Sequence, residues 1–151
     1  PGGKSINIGS KLKGEGLLVT NDISSTRAKA LLKNIELFGI SNALIISENQ
    51  EKISRNFPDF FDRIVVDAPC SGEGMFRKDE GLIKSWEKTR CECPDIQIDL
   101  LEKSAKMLKS GGRIIYSTCT FSRSENEDII NLFLQKHSNF RLVNISKNSC
   151  L

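Results

Sequence analysis

Two cysteines, each in a polar turn directly after an apolar strand, are the residues of this chain best suited to chemistry. Cys70 lies in Ile64-Val65-Val66-Asp67-Ala68-Pro69-Cys70-Ser71-Gly72-Glu73-Gly74, and Cys119 in Arg113-Ile114-Ile115-Tyr116-Ser117-Thr118-Cys119-Thr120-Phe121-Ser122. The carboxyl ends of the strands of an open α/β sheet form the rim where ligands bind. Two thiols and the Asp67 carboxylate on such a rim predict covalent chemistry rather than packing. The attacking form of cysteine is the thiolate, and an ordinary thiol of pKa ~8.5 is mostly protonated at neutral pH. The hydroxyls flanking Cys119 are donors that would stabilise a thiolate. The competing reading is a capping aspartate and two buried cysteines, since free Cys packs as a small hydrophobe. Ser71, Gly72 and Glu73 beside Cys70 weigh against it. Pro69 fixes its own φ and biases Ala68 to extended geometry, so the chain leaves its strand along a defined path.

A second constellation is Pro1-Gly2-Gly3-Lys4-Ser5 with Asp22. Paired glycines at a strand-to-helix turn let backbone approach a ligand, and an acidic residue about 20 positions on is where Rossmann-like folds bind ribose hydroxyls. The glycine string is not a complete GxGxxG and no P-loop is present. A ligand with ribose but no phosphate, such as S-adenosylmethionine, fits this partial pattern better than a dinucleotide does. A tight turn with a helix-capping aspartate would read the same way.

These groups need elements to hold them. Strands are predicted at 17–21, 43–46, 62–67, 113–117 and 140–145, from short apolar runs bounded by turn residues. Helices are predicted from Ser24 or Ser25 to Phe38 with Gly39 as the stop, then over 51–56, 96–108 and 124–137. Ala68 to Pro94 reads as a long polar loop with one helical turn at most, a length that is often functional. The centre of 62–67 is apolar on both faces, as in a covered parallel strand. Strands alternating with helices predict an α/β, doubly wound, mostly parallel Rossmann-like sheet. Pro1 opens on a turn that ordinarily follows a strand, so the expectation is a fragment lacking the first strand of that sheet.

The 151 residues suit one domain, with apolar and charged contents of 38% and 27% that are ordinary for a globular protein. Apolar runs of a few residues are far short of the ~20 that span a bilayer, and no basic-then-apolar leader is visible. Five cysteines, with Cys91 and Cys93 one residue apart, and a lone histidine, His137, fit neither a disulfide framework nor a zinc site. Reduced thiols in a cytoplasmic protein without membrane or metal are the simplest expectation. The net charge of +3 permits nucleic-acid contact without arguing for it. Phe76, Arg77 and Lys78 form a small basic-aromatic patch suited to phosphate and base contact. Trp86, Phe57, Phe60 and Phe61 read as packing residues. Lys103, Lys106 and Lys109 read as a solvated helix face, and His137 as a helix-end cation.

Taken in order, Pro1-Gly2-Gly3-Lys4-Ser5, the twelve residues from Asp67 to Lys78, and Tyr116-Ser-Thr-Cys-Thr-Phe-Ser-Arg-Ser-Glu-Asn-Glu127 resemble the RNA cytosine-5 methyltransferases of the Nop/Nol/Sun type, most closely the bacterial 16S rRNA branch. The family's first motif normally has Cys-Ala-Ala before Pro-Gly-Gly. Its members carry an N-terminal region before the catalytic core, and that branch a C-terminal extension. The resemblance therefore implies that 1–151 is a truncated methyltransferase domain without its flanking RNA-binding regions. It implies S-adenosylmethionine as cofactor, with Pro1, Gly2, Gly3 and Lys4 at the end of the cofactor loop and Asp22 on the ribose. Asn49 or its neighbour Glu48 falls on the adenine side, and Asp67 is shared between cofactor and base. Cys119 matches the family nucleophile and Cys70 the second cysteine, which assists product release. The implied partner is RNA, with an unpaired or flipped cytosine as target.

The chemistry asks for these types. C5 of cytosine becomes carbon-nucleophilic only after a thiolate adds at C6. A carboxylate on N3 and the exocyclic amine would stabilise the adduct, and a second thiol would help remove the C5 proton. Two alternatives remain open. DNA cytosine-5 methylation would make Cys70 of Pro69-Cys70 the nucleophile, and a non-catalytic RNA-binding methyltransferase-like fragment would use neither thiol. Oligomeric state and target nucleotide are not specified by these residues.

Overall fold

The computed structural model describes residues 1–75 and 93–144. Phe76, Arg77, Lys78, Trp86, Cys91 and Ile145, for which the sequence raises expectations, lie outside them. The chain forms two compact units, 1–56 and 57–151.

In the first unit, α1 (Gly3–Leu12) is followed by β1 (Leu18–Asn21), α2 (Ser25–Leu37), β2 (Ala43–Ile46) and α3 (Gln50–Asn56). β1 and β2 pair in parallel, Leu18 opposite Ala43 through Asn21 opposite Ile46. Ser24 caps α2 by accepting from the Arg27 N–H, and Ala28, Leu31 and Ile35 recur at helical spacing on its buried face. Leu18, Leu31 and Ile35 form the core, with Ile6, Ile8, Leu12 and Ile45 packed around it. Ile35, only 1% exposed, gains roughly 1.5–3 kcal/mol from removal of its side chain from water.

In the second unit, β3 (Phe61–Asp67) leads to a 3₁₀ turn at Glu73–Met75. There follow α4 (Cys93–Met107), β4 (Leu108–Ser117), a second 3₁₀ turn (Arg123–Glu125) and α5 (Glu127–Lys136). β3 and β4 pair in parallel, Arg63 opposite Arg113 through Asp67 opposite Ser117. A register shift near Phe61 accommodates 109–112, so Gly111 and Gly112 fall inside the strand span. Leu101, Ile129 and Phe133 form the second core, against Ile114 and Tyr116 of β4. The parallel α/β expectation holds.

Three sequence expectations change. First, residues 140–144 are not a strand. The Phe140 N–H bonds back to the His137 carbonyl at 3.0 Å, and its ring lies edge-on to Phe133 at 5.1 Å, so side-chain docking closes a turn where a ladder was expected. Second, the helix expected from Ser124 begins only at Glu127, because Asn126 (φ −122°, ψ −90°) breaks it. Its side-chain amide is spent on the Thr120 and Ser122 carbonyls. Third, β3 is not apolar-covered on both sides among the described residues: Val66 is buried, but Val65 and its partner Ile115 are 38% and 44% exposed.

The packing reading of the phenylalanines stands, but Lys103, Lys106 and Lys109 are not one solvated helix face. Lys103 is largely covered and pairs with Asp99 Oδ2 at 2.6 Å, and Lys109 lies in β4. Phe57, Phe60 and Phe61 cluster with ring centroids 5.1–5.6 Å apart. His137 ends α5 and stacks on Phe133 at 4.5 Å. Cys93 is buried at the start of α4. No helix among the described residues is long and apolar enough to cross a membrane.

Candidate active site

Cys70 and Cys119 leave the carboxyl ends of the paired strands β3 and β4, so sheet registry brings the two turns together. Their Sγ atoms lie 2.7 Å apart, and the Cys119 N–H donates to Cys70 Sγ at 3.1 Å. Both are free thiols, Cys70 half-buried and Cys119 exposed. Asp67 ends β3 directly opposite Ser117, whose hydroxyl donates to its Oδ1 at 3.4 Å. The three groups expected to do chemistry are thus assembled within one unit.

The turns are fastened to each other by more than the sulfurs. The Gly74 N–H donates to the Cys119 carbonyl at 2.9 Å. Glu73 Oε2 accepts from the Thr120 hydroxyl and the Phe121 N–H, and Ser71 Oγ donates to Thr120 Oγ1 at 3.0 Å. A Cβ on Gly74 would stand 2.7 Å from the Cys119 carbonyl oxygen, so only glycine permits this approach. Glu73 and Gly74 were not singled out as site residues from sequence. Their position three and four residues beyond Cys70 was the available signal.

The flanking hydroxyls do not serve the thiolate as expected. Ser117 turns to Val66 and Asp67, Thr118 to Asn126, and Thr120 to Glu73. Partial burial of the sulfur, then the hydrogen bond with Cys70, its charge, and the Asp67 carboxylate push the Cys119 thiol up to about 11, against a smaller lowering by a backbone N–H. The resting group is therefore a thiol, and any nucleophilic role would require the loss of its proton. Alkylation of Cys119 by iodoacetamide, read by peptide mass spectrometry, is expected to rise about tenfold per pH unit from 7 towards 10. Cys70→Ala removes the strongest side-chain contribution to the rise and shifts the profile to lower pH. A shift to higher pH would show the coupling to have the opposite sign.

Of the residues expected on the cofactor side, all but Asp67 lie in the first unit. Gly2 adopts φ 106° with its Cβ position 2.8 Å from Leu31 Cδ1, so a side chain is excluded and the turn into α1 is tight. Pro1 is anchored through its carbonyl by Asn34 Nδ2 at 2.8 Å. Helix α1 has no side-chain cap and no acidic residue in its first turn, and space opens beside Gly3. Such an end, with Lys4 in it, suits a carboxylate. Asp22 follows β1, its Oδ1 accepting from the Ser24 N–H and its Oδ2 from Arg27 Nε at 2.7 Å. Each oxygen keeps a second lone pair for a ribose hydroxyl. Asn49 Oδ1 caps α3 through the Lys52 N–H, while Glu48 pairs with Lys52 Nζ at 3.1 Å. Asn21, missed in the sequence, clasps the Glu48 backbone from both sides and ties the two strand ends together. These donors and acceptors fit the amino-acid and ribose parts of S-adenosylmethionine.

The fold is that of class I methyltransferases. The crystal structure of NSun6 from Pyrococcus horikoshii with SFG, an S-adenosylmethionine analogue, is 29% identical with TM-score 0.77, covering 90% of this chain and 35% of that one. A methyltransferase homolog protein, also from Pyrococcus horikoshii, is 30% identical with TM-score 0.74, covering 89% and 42%. The chain belongs to the 16S rRNA methyltransferase RsmB/F family, whose family model matches residues 1–150. Ribosomal RNA small subunit methyltransferase F of Vibrio parahaemolyticus is 42% identical over 130 residues, covering 85% of this chain and 27% of that protein. The same-named protein of Escherichia coli O157:H7 is 38% identical over the same shares. The chain thus spans about a quarter of the length of these curated relatives.

Proposed function

We propose that residues 1–151 are the cofactor-and-chemistry domain of an S-adenosylmethionine-dependent RNA cytosine-C5 methyltransferase acting on 16S rRNA in the cytoplasm. RNA recognition would come from regions beyond this domain, a reading supported by the quarter-length coverage of its relatives. The observation that carries the proposal is the pair of thiols from neighbouring parallel strand ends, 2.7 Å apart beside Asp67, in a member of this family.

S-adenosylmethionine supplies an electrophilic methyl group. Pro1, Gly2, Gly3 and Lys4 hold its amino-acid end, Asp22 its ribose, and Asn49 its adenine side. Cys119, the more exposed sulfur, adds to C6 of a flipped cytosine, its proton passing to N3 of the ring as the C6–S bond forms. Asp67 accepts hydrogen bonds from the newly protonated N3 and the exocyclic amine and so holds the adduct. After C5 is methylated, Cys70, as a thiolate that has released its own proton to solvent, takes the C5 proton. The C6–S bond breaks with its electron pair returning to Cys119, and loss of the N3 proton restores the neutral aromatic ring.

The test is conversion by the natural protein. Incubation with S-adenosylmethionine and a small-subunit rRNA from a strain lacking the modification should yield 5-methylcytidine on nuclease digestion and mass spectrometry. Binding of cofactor to Asp22→Ala should weaken by about tenfold or more, as expected for loss of a charged hydrogen bond. Cofactor binding without any 5-methylcytidine on RNA, together with 5-methylcytosine on DNA, would replace this reading by the DNA one.

A further inference from the structure

Beneath the two thiols lies a buried polar pair that the chemistry above does not use. Gln97 of α4 and Glu125 of the turn before α5 are both 0% exposed. Gln97 Nε2 donates to the Pro69 carbonyl at 2.8 Å and to Glu125 Oε2 at 2.9 Å. The same Glu125 Oε2 accepts the Ser71 N–H at 3.0 Å. The peptides on both sides of Cys70 are therefore gripped by one amide–carboxyl pair. The Glu125 carbonyl in turn accepts the Tyr116 hydroxyl at 2.7 Å, which ties the pair to β4, the strand that delivers Cys119. Burial, followed by the charge of Glu125, pushes the Tyr116 phenol up, so the hydroxyl stays a donor.

This arrangement costs stability. Among the described residues Glu125 has no cationic partner, and both Gln97 Oε1 and Glu125 Oε1 lack any hydrogen-bond partner. Apolar side chains of similar volume would fill the space without that penalty. An unsatisfied buried group in a folded protein calls for a reason, and here the reason is placement of Cys70.

We propose that Gln97 and Glu125 are positioning residues that clamp Cys70 in place to take the C5 proton, and so set the rate of product release. The proposal rests on the release role given to Cys70 above. Neither residue touches substrate; both act through the Pro69 and Ser71 peptides.

The test uses the natural protein with substrate RNA and compares Gln97→Met, Glu125→Gln, Cys70→Ala and wild type. Single-turnover methyl transfer, the lifetime of the covalent RNA complex and the thermal midpoint are measured for each. Gln97→Met removes the donor at nearly constant volume; it is expected to lengthen the complex lifetime about tenfold or more while methyl transfer falls less than about threefold. Combined with Cys70→Ala it should add little, because both changes act on one step. Glu125→Gln keeps an acceptor for the Ser71 N–H and puts its nitrogen at the unpartnered oxygen, so its lifetime should stay near wild type. Should Gln97→Met not fold, Gln97→Asn, which draws the amide back by one methylene, carries the same expectation. Equal slowing of transfer and release, or an unchanged lifetime in a folded Gln97 variant, would overturn the clamp alone. An unchanged lifetime in Cys70→Ala would overturn the release role and the clamp with it.

Discussion

Cys119→Ser in the natural protein should lower methyl transfer to RNA by roughly 10⁴-fold or more, the order seen when a covalent nucleophile is removed from an otherwise intact site. It should also eliminate the denaturation-resistant complex with RNA containing 5-fluorocytosine, in which fluorine at C5 blocks the release step. Cys70→Ala should retain that complex. The two sulfurs touch, so proximity alone does not choose between them. Exposure favours the proposed assignment: Cys119 is exposed, whereas Cys70 is half-buried and receives the Cys119 N–H. A serine at 119 is nearly isosteric, but its hydroxyl is far less acidic than a thiol and is no substitute nucleophile without a dedicated base. Loss of the complex in Cys70→Ala with retention in the Cys119 variant would reverse the assignment. It would also favour the DNA-type mechanism. Gel mobility after denaturation reads both outcomes directly.

Gly74→Ala is the second large effect expected, about 10²-fold in kcat with cofactor affinity unchanged. A methyl group here would meet the Cys119 carbonyl oxygen at 2.7 Å and its carbon at 3.5 Å, and the obstacle is backbone, which cannot rotate away. Relief requires the two turns to part, breaking the Gly74 N–H bond to Cys119 and loosening the Glu73 contacts with Thr120 and Phe121. Displacement of a reacting group by about 1 Å costs about 10²-fold in rate. The cores around Leu101 and Ile35 are untouched, so the thermal midpoint should fall only modestly. Stopped-flow methyl transfer and differential scanning calorimetry separate the two effects. Near-normal turnover in Gly74→Ala would show that the turns tolerate separation and that the thiols need not be held together.

The elements that carry the site were legible because their signals are local. Ser24 followed by apolar residues at helical spacing specified α2 to within a residue of its observed start, and Ala43–Ile46 and the 62–67 run specified strands through β-branched and apolar content. Misreadings fell where a side chain overrode local preference. Asn126 has ordinary helix-compatible neighbours, yet its amide is drawn to the Thr120 and Ser122 carbonyls and the helix starts after it. Phe140 begins an apolar run with strand character, yet its ring docks on Phe133 and the backbone turns. Residue types in the motifs pointed to Cys70, Cys119 and Asp67, but their hydroxyl neighbours were misread as servants of the thiolate. Hydrogen-bond partners separated by 47 to 54 residues are set by which strands pair, and no local pattern encodes them.

The order of residues alone determined the alternating parallel architecture and the types of group available for chemistry, because periodicity, caps and reactive side chains are properties of short stretches. Tertiary structure alone decided that the two sulfurs meet, that the Cys119 thiol is pushed further up rather than down, and that Gln97 and Glu125 grip the peptides around Cys70. Those outcomes depend on the registry of β3 with β4 and on burial of polar atoms from distant segments. Distance, exclusion of water and electrostatic coupling arise only once the chain has closed on itself.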